Sequence, residues 1–185
     1  LALDADGRPL EVMNSDDGFA LLAGPVPAEQ LQTLLRKYEL PYPLGLMDRH
    51  GFYVASPALS ARTEDYKTFG RGAYHGTVVW SWHMSLLQRG LMIQLASLRE
   101  QDSEQATALA RRVGRLLRQL ALAEERVGAL ITSELWTVEL ADDGFRAVPY
   151  GHAAGHATES NAVQLWSSVH VATSLQRKQL GVLDQ

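Results

Sequence analysis

The sequence predicts an all-α fold, and three observations support this prediction. The apolar run from Thr77 to Leu98 is long enough for a helix and apolar on nearly all sides, as an inner helix of a layered α-fold is. A second run, over residues 102–125, carries apolar residues at helical spacing on one face. Strands do not alternate with helices along the chain, so the pattern of a parallel α/β sheet is missing.

The first 26 residues predict turns and short extended pieces, because Asp, Asn, Gly and Pro cluster there. Four acids of this segment, Asp4, Asp6, Asp16 and Asp17, are interpreted as turn residues rather than as catalytic groups.

A first helix is predicted from Pro27 to about Tyr38, since proline suits the first turn of a helix. Pro41 and Pro43 prevent it from continuing. Residues 41–73 then read as a long loop with a short strand at 51–55, and long loops inside a compact domain are usually functional.

The apolar run of residues 77–98 approaches membrane-spanning length, but it carries polar groups throughout. His83, Gln88, Arg89 and Gln94 lie within it, and a mid-helix arginine is costly in hydrocarbon. We therefore expect a helix buried in protein.

An amphipathic outer helix is predicted next, from a capping box at residues 102–105 to about Glu125. The arginines of this helix fall largely away from its apolar stripe, which predicts a solvated outer face, with phosphate binding as the alternative. They are Arg111, Arg112, Arg115 and Arg118.

A second long loop is predicted over residues 131–160, with a hairpin turn at residues 142–144. A last helix is predicted from near Ser160 to about Lys178, and the final residues, 181–185, read as a frayed tail.

Composition excludes several functions. The 185 residues carry a net charge of −4, so no nucleic-acid partner is expected, and no membrane partner is expected either. The absence of cysteine excludes disulfides, thiolate metal sites and cysteine nucleophiles. The N-terminus is acidic and polar, which does not resemble a signal peptide.

The most informative stretch runs from Tyr74 to Trp82 and joins a polar, glycine-containing turn to two tryptophans. Broad aromatic faces beside hydrogen-bonding groups suit a sugar ring. On this interpretation Tyr74, His75, Trp80 and Trp82 bind a carbohydrate. The alternative is that the tryptophans only fill a core.

Glu134 is the best candidate for a catalytic carboxylate, because it opens a long loop and has Trp136 two residues on. A carboxylate beside an aromatic wall can have its pKa tuned for acid–base work. Glu139 and Glu159 are weaker candidates, and no second carboxylate stands out as a partner. Gln164, near the start of the last helix, is a candidate for contacting a sugar hydroxyl.

No metal or cofactor is expected. The six histidines do not form an HExxH motif, and a zinc site needs three or four convergent ligands. Neither a GxSxG motif nor a Walker or GxGxxG loop is present.

Taken in order, several of these segments resemble the C-terminal part of six-hairpin glycosidases, which include glycogen-debranching amylo-α-1,6-glucosidases. The most specific segment is the Tyr-His-Gly-Thr-Val-Val-Trp run at residues 74–80. The others lie at residues 2–10, 14–16, 133–135 and 164–167.

This resemblance implies that residues 1–180 are the C-terminal part of a single (α/α)6-toroid catalytic domain, with the loops 41–76 and 131–160 on the ligand-binding face. It further implies an inverting α-glycosidase with Glu134 as general base. Glu134, Tyr74, His75, Trp80, Trp82, Trp136, Glu159 and Gln164 form the expected site. The general acid, and the rest of the toroid, are expected in upstream sequence.

Two other functions remain open on the sequence alone. The first is a non-catalytic carbohydrate-binding protein on the same scaffold. The second is a helical partner-binding domain, for which none of the four tryptophans responds to a saccharide.

Overall fold

The computed structural model describes residues 3–142, 144–152 and 168–182, and within them the fold is mixed α/β. Helices account for 52% and strands for 16%, and the strands form three small antiparallel sheets. The prediction of an all-α chain forming part of an (α/α)6 toroid is therefore wrong. β-Branched and aromatic residues are favoured in strands because they fit a pleated, half-buried surface. Here such residues form strands at 79–80, predicted as helix, and at 135–141, predicted as part of a loop.

The longer helices lie close to where the sequence predicts them. The described α-helices are α1 (Ala28–Glu39), α2 (Thr63–Thr68), α3 (Ser81–Arg99), α4 (Glu104–Val127) and α5 (Val169–Gln179). A 3₁₀ helix at Asp16–Ala23 precedes α1, and another at Gly128–Thr132 follows α4. The Ser103 hydroxyl accepts a hydrogen bond from the Ala106 N–H at 3.1 Å, so Ser103, within the predicted capping segment 102–105, caps α4. The start predicted for the last helix lies outside the described residues.

The strands are short except for one hairpin. Strand β1 (Met13–Asn14) pairs with β4 (Ala55–Ser56), and β2 (Met47–Asp48) pairs with β3 (Gly51–Phe52). The third sheet has the order β5 (Val79–Trp80), β6 (Leu135–Ala141), β7 (Gly144–Pro149). Ala141 lies opposite Gly144, so the predicted hairpin is confirmed.

Strand β5 replaces the first turn of the predicted inner helix. Val79 pairs with Trp136 and Trp80 with Leu135, and the helix begins only at Ser81. Consecutive β-branched residues lose side-chain freedom in a helix, and the strand relieves this.

Helix α3 lies at the centre of the core, where it contacts α4, α5 and the first 3₁₀ helix. Gly90 permits the closest of these approaches, because a Cβ added there would lie 2.7 Å from Leu21 Cβ. Val182 is 2% exposed, so the segment after α5 packs into the core at this position instead of fraying.

A buried polar cluster joins helices α3, α4 and α5. The Arg177 guanidinium donates to Glu124 Oε2 at 2.5 Å and to Gln88 Oε1, and the Gln88 amide donates to Glu124 Oε1 at 2.7 Å. All three side chains are buried, so this ion pair connects α5 to α3 and α4 in a dry environment.

Among the described residues, none of the helices combines the length and the apolar character that a membrane crossing requires.

Candidate functional site

Glu134 lies between the second 3₁₀ helix and β6 and is 2% exposed. Its carbonyl oxygen accepts hydrogen bonds from the Ser81 N–H at 3.1 Å and from the Ser81 hydroxyl at 3.3 Å. Ser81 is the first residue of α3. The pairing of β5 with β6 and the start of α3 therefore fix the backbone of Glu134.

The Glu134 carboxylate is bound by a tyrosine of the other predicted site segment. The Tyr74 hydroxyl donates a hydrogen bond to Glu134 Oε1. Burial, and then this contact with the carboxylate, raise the pKa of Tyr74 above its usual value. Tyr74 thus stays protonated near neutral pH and remains a hydrogen-bond donor to Glu134.

An aromatic cluster surrounds this hydrogen bond. The Tyr74 ring lies 4.7 Å from Trp80 and 5.8 Å from Tyr150, and the His75 ring stacks on Trp80 at 5.2 Å. The Trp80 indole donates to the Tyr74 carbonyl at 3.0 Å, and Trp82 contacts Trp80 edge to face at 5.5 Å. The structure therefore brings together Glu134 and four of its predicted partners.

These aromatic side chains differ in exposure. His75 is exposed, Tyr74 and Trp82 are half-buried, and Trp80 is buried. Of these four side chains, His75 is therefore the most exposed and Trp80 the least.

Trp136 lies away from this cluster. It is fully buried in the main core, and its indole N–H donates to the His50 carbonyl at 2.9 Å. Because side chains alternate along a strand, Leu135 packs in the aromatic cluster while Trp136 packs on the other side of β6. Although Trp136 is only two residues after Glu134 in the sequence, its ring therefore does not lie in the aromatic cluster around Glu134.

The two predicted loops meet at a cavity of about 870 Å³. Residues from both loops line it, including Tyr42, Tyr66, Arg71, Thr137, Glu139 and Gly151. Glu134 does not line it. The cavity begins at Thr137, three residues beyond Glu134, which is roughly 10 Å along the strand.

Glu159 and Gln164 lie outside the described residues. Within the part of the chain that the structure describes, no group of three or more His, Cys, Asp or Glu side chains is arranged to hold a metal ion.

A buried histidine next to the cluster, His83, was not among the predicted site residues. His83 packs among the rings of Phe19, Phe52 and Trp82, with Phe19 at 5.2 Å. Its Nε2 lies 3.2 Å from the Ser15 hydroxyl, which itself donates to the Val54 carbonyl. Since a hydroxyl has one hydrogen, Nε2 must carry the proton that His83 shares with Ser15.

The opposite ring nitrogen, Nδ1, is buried and has no hydrogen-bond partner among the described residues. Burial lowers the pKa of His83 from 6.5 to about 4, although Asp16 and Asp17 act in the opposite direction. The sequence signal for it was a histidine within a largely apolar run that also carries Gln88, Arg89 and Gln94.

We expect His83 to make the protein less stable in mild acid. The unfolded chain takes up a proton near pH 6.5 and the folded chain only near pH 4, so stability falls as the pH drops through this window. The loss attributable to His83 is about 3 kcal/mol. Urea unfolding at pH 7.5 and pH 4.5 measures it.

His83→Phe is the matched control, because it keeps an aromatic ring and removes the titrating group. The difference in unfolding free energy between the two pH values should shrink in this variant. An unchanged difference assigns the acid sensitivity to other groups.

Comparison with protein-family models, with curated proteins and with solved structures gives no match.

Proposed function

We propose that this chain carries the general-base half of an inverting glycoside hydrolase site, acting on an α-linked oligo- or polysaccharide. One observation carries the proposal: the Tyr74 hydroxyl binds the Glu134 carboxylate inside an aromatic cluster. Tyr74 belongs to the segment that most specifically resembles the glycosidases, and Glu134 is the residue to which that resemblance assigns the base.

In this mechanism Glu134 takes a proton from water as the water oxygen bonds to the anomeric carbon. The bond from that carbon to the glycosidic oxygen breaks, and a general acid on the opposite side protonates the leaving oxygen. Inverting enzymes separate the two carboxyl groups by roughly 6.5–9.5 Å. The resemblance assigns the acid to sequence outside this chain.

The aromatic side chains have separate tasks in this proposal. Tyr74 orients the carboxylate through its hydrogen bond, and the half-buried Trp82 is assigned contact with the apolar side of a sugar. His75, the exposed member, hydrogen-bonds a hydroxyl. The neighbouring cavity, with Tyr42, Tyr66 and Arg71 in its wall, gives space for further sugar units.

Glu134→Gln in the complete natural protein tests the base. Turnover of an α-1,6-branched glucan should fall at least about a hundredfold, because general-base catalysis contributes that much or more. Glutamine preserves the shape of the side chain and accepts the Tyr74 hydrogen bond, so saccharide quenching of tryptophan fluorescence should persist. For the unaltered protein, proton NMR of the first-formed product should show inversion of configuration at the anomeric carbon.

Glu139→Gln serves as the matched control, since Glu139 lines the neighbouring cavity and lies on β6, the strand that begins directly after Glu134. It should retain most of the turnover. Equal turnover in the Glu134→Gln variant and the unaltered protein contradicts the role of Glu134 as base.

The burial of Glu134 favours a second candidate function, non-catalytic carbohydrate binding. A side chain that is 2% exposed and bound by a tyrosine hydroxyl has the surroundings of a structural carboxylate. This candidate predicts saccharide binding by the complete protein without any release of sugar.

A further inference from the structure

A groove lies between the last turns of α3 and the first half of α4, and four arginines line it. We name it the arginine groove, after Arg99, Arg111, Arg115 and Arg118. Its volume is about 560 Å³, which is within the range of small-molecule sites. Leu95, Leu98 and Ala110 also line it, so apolar surface lies between the charges. Three of the arginines were expected on a solvated outer face.

Among the described residues these four guanidinium groups form no ion pair, although Arg111 also lines a neighbouring cavity together with Asp102 and Glu104. Within the described ranges, no carboxylate lies within 4 Å of these four guanidinium groups, and none lines the groove. Arg112, one residue from Arg111, shows the contrast: it binds both oxygens of Glu39 at 2.9 and 2.7 Å. Arg115 also helps to lower the pKa of Glu39, but the Glu39 carboxylate is hydrogen-bonded to Arg112.

The three arginines of α4 that line the groove are close enough along the helix to repel one another. Arg111, Arg115 and Arg118 are four and three residues apart, so they are neighbours on one face of α4. Like charges at this spacing destabilise a helix. The chain as a whole is negative, so a concentration of positive charge at one place does not follow from composition. A bound anion removes the repulsion.

The chemistry of the groove selects the kind of anion. Guanidinium groups bind phosphate oxygens with two parallel hydrogen bonds, and several of them can surround one multiply charged group. The apolar floor accommodates the uncharged part of such a ligand. No aromatic ring lines the groove, so it does not offer a stacking surface for a nucleobase.

We propose that the arginine groove binds a phosphate-bearing small molecule. This site is separate from Glu134, because Ser81 at one end of α3 contacts Glu134 and Arg99 is at the other end. A helix of that length separates the two sites by roughly 27 Å.

Calorimetric titration with inorganic pyrophosphate at low salt tests the proposal. The unaltered protein should bind it, and affinity should fall as sodium chloride is added, because exposed charges are screened. The double variant Arg115→Gln, Arg118→Gln should lose at least about tenfold in affinity. Pyrophosphate should raise the melting temperature of the unaltered protein but not that of the variant.

Arg36→Gln is the control, since Arg36 is an exposed arginine on α1 outside the groove. It should leave pyrophosphate binding unchanged. An equal loss in this control, or no binding by the unaltered protein, overturns the proposal. Binding of a polyglutamate peptide at the groove without any binding of pyrophosphate also overturns it, and assigns the groove to an acidic protein segment instead.

Discussion

Replacing Trp136 by alanine should lower the free energy of unfolding by about 3–5 kcal/mol, the usual cost of removing a large aromatic side chain from a core. Trp136 is fully buried, and its removal leaves a cavity beneath the three-stranded sheet. It also leaves the His50 carbonyl without the indole donor that binds it at 2.9 Å. Urea unfolding followed by circular dichroism measures the loss.

Trp82→Ala is the matched control, because Trp82 is only half-buried and should cost about 1–2 kcal/mol. The two tryptophans should also differ in saccharide binding. Trp136→Phe, which keeps an aromatic ring in the core, should preserve the fluorescence response to sugar, whereas Trp82→Ala should reduce it. Loss of the response in Trp136→Phe with a normal folded spectrum contradicts the purely structural role of Trp136.

Replacing Arg177 by methionine should cost about 3–5 kcal/mol of unfolding free energy, because it leaves a buried charge without its counterion. The Glu124 carboxylate, 8% exposed, loses the guanidinium that binds it at 2.5 Å. Gln88, which is fully buried, loses a donor as well. The side chain of methionine fills much of the space, so the loss reports charge and hydrogen bonding more than volume.

Arg112→Met provides the comparison. Its ion pair with Glu39 is partly exposed, and such pairs contribute about 1 kcal/mol or less. Adding Glu124→Gln to Arg177→Met should recover part of the loss, since the charge that remained is then neutral. Equal losses in the two single arginine variants contradict the argument from burial.

The sequence predicted the long helices because their signals are local. Proline at the start of α1, Ser103 before α4 and the apolar stripe of α4 each act over a few residues. Strand β5 was not predicted, because the pairing that forms it is with residues distant in the sequence. Val79 and Trp80 pair with residues more than 50 positions away, and a short apolar run fits a helix or a strand equally well.

The same distinction between local and long-range contacts explains which features of the candidate site the sequence could predict. Tyr74 and Glu134 are 60 residues apart, so no spacing rule predicts their contact. Trp136 was assigned to the site because it is near Glu134 in sequence, but alternation along β6 directs it into the core. His83 was missed because its partner, Ser15, lies 68 residues earlier.

The contact between Ser81 and Glu134 has a consequence for how the candidate site forms. The 53 residues that separate them are mostly two helices, α3 and α4, which pack against each other. Closing a flexible loop of that length is entropically costly, but a helical hairpin forms from local contacts and returns the chain to its starting point. We therefore expect Glu134 to reach its position only after this hairpin has folded, so a variant that loosens the hairpin should lose the site while keeping most of its helix content.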